Sequence, residues 1–165
     1  MVIAKRLVQI GVEVRVFGPS AERFAGDAAT ALREMTHAGI ELDDRGKADE
    51  WLAQCDREVL VVDAMLGTGA KGDPRPPMDR WINAANAIRS GRSDSAVRVA
   101  IDVPSGLDAD LGIANDPTFR ADLTLTFVTS KVGFHQPSAG PFFGRVEVVD
   151  IGIPERVVRQ VAGAD

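Results

Sequence analysis

Asp63 closes the apolar run EVLVVD, and three glycines follow it within Gly67-Thr68-Gly69-Ala70-Lys71-Gly72-Asp73. A second acid, Asp102, closes VRVAID and is followed by Val103-Pro104-Ser105-Gly106. A third run, LTLTFV, leads into Thr129, Ser130 and Lys131, with His135 just beyond. Carboxylates at the ends of apolar strands are costly to bury without a partner. Asp63 and Asp102, with the Ser105 hydroxyl and nearby carbonyls, therefore offer hard oxygen ligands for a cation, either divalent or monovalent. The glycine-rich loop can bring backbone N–H groups close to an anion, and Lys71 adds a charge of the right sign for phosphate. GTGAKG is not a P-loop, because Lys71 is followed by Gly72 and not by Ser or Thr; a tight strand-to-helix turn also accounts for it. No spacing rule stands behind Lys131 and His135, for which an exposed loop lysine and a hydrogen-bonded loop histidine is the simpler reading.

Residues so spread along the chain meet only if the fold brings strand ends together. Apolar positions at Val2, Ile3, Leu7, Val8 and Ile10 predict a short helix ended by Gly11. VEVRVF (12–17) alternates like a strand, and Ser20 is placed to cap a helix over 21–39. A short extended piece at IELDD and a helix at ADEWLAQC follow. EVLVVDAML (58–66) is almost continuously apolar, which predicts a strand buried on both faces. PPMDRWINAANAIRSG reads as a helix with prolines at its start and Gly91 past its end. VRVAIDVP, LTLTFV and RVEVVDIGIP read as further strands. Strands alternating with helices predict one α/β domain over 1–165, with a mainly parallel sheet and helices on both faces. In such a sheet the loops at the carboxyl ends of neighbouring strands converge, and ligands bind there. Asp63, Asp102 and Lys131 all fall at such ends.

Composition narrows the function classes. The 165 residues are 45% hydrophobic and 26% charged, as in a globular domain, and the formal net charge of -5 argues against a nucleic-acid-binding protein. The single cysteine, Cys55, excludes an internal disulfide and a cysteine-based zinc site, which fits a reduced, cytoplasmic setting. No apolar run approaches the length of a membrane span.

VVDAMLGTGAKGD, AIDVPSGLDADLG, ADLTLTFVTSKVGF and VVDIGIP, in this order and at these spacings, resemble the NAD(P)H-hydrate epimerase family, the YjeF N-terminal domain, from about residue 2 to 153. The resemblance implies a Rossmann-like domain that interconverts the R and S forms of hydrated NADH or NADPH, commonly as a homodimer, and supplies the S form to a separate or fused dehydratase. It implies a bound potassium ion, with Asp63 and Ser105 at ligand positions. Gly67, Thr68, Gly69, Ala70, Lys71, Gly72 and Asp73 match the loop that contacts the substrate, and Asp102 matches the acid that contacts it. A monovalent ion among carbonyls and two side-chain oxygens fits this pattern better than magnesium, which demands stricter octahedral ligation. Asp102 is then the candidate general acid or base at the reacting ring.

The family pattern also includes, before the segment resembling VIAKRL, a strand and a G-x-G-N-N-G-G-D-G loop that holds phosphate and gives an asparagine to the potassium. Met1 stands where that loop would end. The resemblance therefore implies an N-terminally truncated domain, with weakened grip on a dinucleotide because several backbone donors are missing, and the expectation is that the native protein is longer. The competing reading is a noncatalytic dimerising scaffold, as YjeF-like domains are in messenger-RNA decapping factors. A scaffold has no physical reason to carry Asp63, Asp102 and Ser105 together, which favours the enzyme.

Overall fold

A computed structural model describes residues 1–55, 58–88 and 96–162. Its contacts divide the chain into two compact units, Met1–Trp51 and Leu52–Asp165. In the first, helix α1 (Val2–Gln9) precedes strand β1 (Val16–Phe17), which pairs in parallel with β2 (Leu42–Asp43) through Val16↔Leu42 and Phe17↔Asp43. Between them lies α2 (Gly26–His37). Ala4, Leu32, Met35 and Ile40 form the buried core, with Val14, Val16, Phe24 and Leu42 packed on it.

Two expectations need correction here. The helix predicted over 21–39 is two elements: Ser20 precedes a 3-10 turn, Ala21–Arg23, without a side-chain capping bond, and α2 begins separately at Gly26, whose φ is +55. That left-handed residue interrupts the helical path, at a position where only glycine is free of strain. The strand predicted over 12–17 shrinks to Val16–Phe17, since its ladder partner β2 is itself two residues long.

Helix α3 (Ala48–Ala53) leads into the second unit, where β3 (Val59–Asp63), β4 (Ala96–Ile101), β5 (Leu123–Phe127) and β6 (Arg145–Val149) form a parallel sheet in the order β3-β4-β5-β6. The register partners Asp63↔Ala100, Ala100↔Thr124 and Thr124↔Val146 run across one face. On that face α4 (Met78–Ala87) packs Ile82 and Ala85 against Ala100, Phe119 and Ala121. A second cluster, Val103, Leu107, Ala109, Phe134 and Ala139, packs with Val146 and with Phe143 of the short α5 (Gly140–Phe143). The chain closes with α6 (Glu155–Ala162). Gly91, expected past the end of α4, lies outside the described residues.

The apolar run of β3 was expected to be buried on both faces, but Leu60 and its register partner Val97 are 47% and 45% exposed. Val97 belongs to β4, which has a strand on either side, so what is open here is a sheet face and not merely an edge; an almost continuous apolar run does not show which of its two faces is covered. The asymmetry has a measurable consequence. Phe119→Ala, at a fully buried ring, should cost about 3–5 kcal/mol in urea unfolding, and Leu60→Ala about 1 kcal/mol or less. Equal losses would contradict this account of the core.

Candidate functional site

Parallel strands carry their carboxyl ends to one edge of the sheet, and Asp63 is the last residue of β3. It is 2% exposed. Its Oδ2 accepts the Ser105 backbone N–H at 2.7 Å; its Oδ1 accepts the Ser105 hydroxyl at 2.6 Å and the Met65 N–H at 3.2 Å. The Ser105 Oγ in turn accepts the Leu66 N–H at 3.0 Å. Burial pushes the Asp63 carboxyl above the ordinary carboxylate range, against the hydrogen bonds from Ser105 and Met65 that hold it down. Among the described residues no lysine or arginine forms an ion pair with Asp63, so its bonded partners are all neutral donors. A buried carboxylate and a buried hydroxyl short of positive charge are chemically suited to a cation bound through oxygen. The described residues contain no group of three or more His, Cys, Asp or Glu able to hold a metal ion, so nothing among them resembles a carboxylate-rich divalent site.

Ser105 stands in the sharp turn after β4, and Gly106 explains why the chain can follow this course. Its φ is +93, and a Cβ there would lie 2.5 Å from the Pro117 carbonyl oxygen. The segment 105–119 folds back on that close approach through Phe119 N–H to Ser105 O at 2.8 Å and Asn115 N–H to Gly106 O at 2.9 Å.

The glycine-rich loop follows β3. Ala70 N–H closes a turn onto Gly67 O at 3.0 Å. Gly67, Thr68, Gly69, Lys71, Gly72 and Asp73 are exposed and Ala70 is half-buried. A Cβ at Gly67, Gly69 or Gly72 would meet no atom within 4 Å, and only Gly72, at φ +74, has a backbone that asks for glycine. Lys71 is committed elsewhere than the sequence implied: its ammonium lies 3.0 Å from Asp108 Oδ2 and 3.1 Å from Asp110 Oδ2. Those two acids, Asp108 first, raise the Lys71 pKa. Asp108 is in turn held below its ordinary range by the Leu111 N–H, Lys71 and the Asp110 N–H. With the Asp116 N–H donating to Asp73 Oδ1 at 3.0 Å, these contacts latch the loop onto the segment after β4.

Asp102 lies one residue past β4 with φ +70, and the Val103 N–H bonds Ile101 O across it at 2.9 Å, a γ-turn of the strained hand. Its Oδ1 accepts the Thr126 hydroxyl at 3.2 Å and the Phe127 N–H at 3.4 Å, and pairs with the Lys131 ammonium at 2.6 Å. Lys131 is thus no free loop lysine: its side chain is 18% exposed. His135 is exposed, at the end of a 3-10 turn (Val132–His135), with no side-chain hydrogen bond among the described residues.

The structure therefore joins Asp63 to Ser105, and Asp102 to Lys131, at the ends of adjacent strands. It adds Thr126 and Asp108, which the sequence reading passed over. Thr126 was findable, since LTLTF alternates and puts Thr124 and Thr126, both fully buried, on one strand face. A polar residue at a buried strand position must have a partner. Asp108 carried no comparable signal.

The chain matches the family model described as YjeF-related protein N-terminus over residues 1–133. It is 40% identical over 159 residues to a protein of Rhodopirellula baltica named NAD(P)H-hydrate epimerase, covering 96% of this chain and 62% of that one. A protein of Pirellula staleyi with the same name is 39% identical over 165 residues, covering 97% and 70%. A bifunctional NAD(P)H-hydrate repair enzyme of Moorella thermoacetica is 36% identical, and there the match covers 96% of this chain and 29% of the relative. This chain thus spans under two thirds of the Rhodopirellula protein's length. The crystal structure of yeast ynu0, YNL200c, has the same fold, with a TM-score of 0.66 at 22% identity over 93% of this chain and 61% of that one. The chain belongs to the YjeF-related protein N-terminus family.

Proposed function

We propose that this protein interconverts the R and S forms of hydrated NADH or NADPH, with the strand-end site as its catalytic centre. The observation that carries the reading is the set Asp63, Ser105 and Asp102, assembled at adjacent strand ends in a chain 40% identical over 96% of its length to a named NAD(P)H-hydrate epimerase. Interconversion breaks and re-forms one bond at the hydroxyl-bearing carbon with no net change of composition, so it needs no second substrate, and a proton moved when the bond breaks is returned when it re-forms. Asp102, at the rim and partly exposed, serves as the general acid or base. The loop 67–73 provides a wall on which the substrate's backbone-contacting groups rest: no protein atom demands glycine at Gly67 or Gly69, so the requirement there is for open space next to the chain.

Asp63 and Ser105 would hold a potassium ion, assisted by carbonyl oxygens. Bound there, the ion supplies the positive charge that the buried carboxylate lacks. Asp63 and Ser105 keep that charge beside the loop, and the Ser105 Oγ, which accepts the Leu66 N–H, fixes where the loop begins. A homodimer, and a functional link to the dehydratase that consumes the S form, belong to the same reading. The link is supported by relatives named bifunctional NAD(P)H-hydrate repair enzymes. No helix among the described residues is long and apolar enough to cross a membrane, and the reading places the enzyme in the cytoplasm with its nucleotide substrate.

Three outcomes test this reading. The R hydrate, presented with a dehydratase that accepts only the S form, should be consumed completely when this protein is present and not otherwise. Asp102→Asn should lower kcat by about 10²- to 10⁴-fold, the usual worth of a positioned acid or base; the parent rate in that variant would remove Asp102 from the chemistry. Replacing lithium chloride with potassium chloride at constant ionic strength should raise Tm, by an amount equivalent to about 2.7 kcal/mol at a hundred times Kd. Asp63→Asn should abolish that rise, and equal Tm values in the two salts would count against the cation.

A further inference from the structure

The three donors to Asp102 are distributed unevenly. Thr126 Oγ1, Phe127 N and the Lys131 ammonium all address Oδ1, at 3.2, 3.4 and 2.6 Å, and among the described residues no hydrogen bond reaches Oδ2. One oxygen is anchored and the other is left to whatever enters the rim. The anchoring group comes from the neighbouring strand end, and the backbone is strained to deliver it. Val128, just past β5, has φ +68, a genuine outlier for a β-branched residue, and the Thr129 N–H closes on Phe127 O across it at 2.8 Å. The same tight turn occurs at Asp102 itself, at φ +70. Two adjacent parallel strands thus end in the same costly γ-turn. The acid at the centre of the first turn and the lysine three residues past the second are in contact. Strain of this kind persists only where the surroundings hold it in place. Lys131 is also pinned from behind, its ammonium donating to Phe127 O at 3.3 Å.

We infer that Lys131 is a positioning residue for Asp102: its ammonium, with Thr126 and the Phe127 amide, fixes Oδ1 so that Oδ2 alone faces the reacting ring. The inference rests on the epimerase reading for what Oδ2 meets, but the ion pair itself does not depend on that reading. A carboxylate held by one oxygen presents a single lone-pair direction to the substrate. A carboxylate free to rotate about its terminal bond spends most of its time misaligned, and misplacement by about 1 Å can cost about a hundredfold in rate. A positioning group should therefore affect turnover and leave binding largely alone. Arginine at the same position keeps the charge and several N–H donors, whereas methionine keeps only the approximate length.

The test uses the intact protein and its Lys131→Met and Lys131→Arg variants, in two measurements. In steady-state epimerisation, Lys131→Met should lose about tenfold to a hundredfold in kcat with KM changed less than about threefold. Lys131→Arg should recover most of the loss. An unchanged kcat in Lys131→Met, a loss confined to KM, or a loss that merely follows the fraction unfolded at the assay temperature would overturn the proposal. The second measurement needs no activity: the ammonium resonance of Lys131 in nitrogen-15 lysine-labelled protein should be protected from solvent exchange in the parent and lost in Asp102→Asn. The same protection in both proteins would overturn the proposal. An inactive parent with a protected ammonium would reject the epimerase reading while leaving the Lys131–Asp102 pair intact.

Discussion

The bond between Asp63 and Ser105 is the interaction on which the site is built. A carboxylate at 2% exposure is expensive, and here both of its oxygens are used by one residue of the next strand's turn, at 2.7 and 2.6 Å. The bond ties the end of β3 to the exit of β4. Through Ser105 Oγ and Leu66 N–H it also sets the first residues of the glycine-rich loop. Gly106 permits it, because any side chain there would strike the Pro117 carbonyl that braces the segment from behind. The remaining contacts reinforce one another. Lys71 with Asp108 and Asp110, and Asp73 with Asp116, hold the far end of the loop to the same segment.

From that anchor the strand edge divides into two functions. The β3–β4 junction gathers carboxylate and hydroxyl oxygens in a buried place, where the proposed cation would sit. The β4–β5 junction presents a partly exposed carboxylate with one oxygen tethered by Lys131 and Thr126. The loop 67–73 is held to the segment after β4 through Lys71 and Asp73. Charge compensation, proton transfer and close approach of backbone are separate physical tasks. A parallel sheet brings three consecutive strand ends to one rim, to which the proposed function assigns these tasks.

Much of this was legible in the sequence. Acids closing apolar runs at Asp63 and Asp102 are unusual enough to mark strand ends, and parallel topology follows from the alternation of elements, so their convergence could be argued before any coordinates. Ser105 entered by its place after Asp102. Lys71 was misread in emphasis, because its charge is spent on Asp108 and Asp110, partners 37 and 39 residues away, and no local pattern announces such a pair. Lys131 was undervalued for a related reason. It reaches Asp102 from beyond a turn in which Val128 has φ +68, and a β-branched residue gives no sequence sign of a left-handed turn. The predicted long helix over 21–39 and the fully buried β3 failed on the turn at Gly26 and on the open sheet face that Leu60 shares with Val97. Periodicity reports which face is apolar; it does not report whether another element covers that face.

The proposed function requires this strand-end rim to act on the hydrated nicotinamide ring itself. Proton NMR of purified R-hydrated NADPH, incubated with this protein and no other enzyme, tests it most directly. S-form resonances should grow at the expense of the R form, to a fixed equilibrium ratio, far faster than in protein-free buffer. An R-form spectrum that changes no faster with the protein than without it would rule out the epimerase reading.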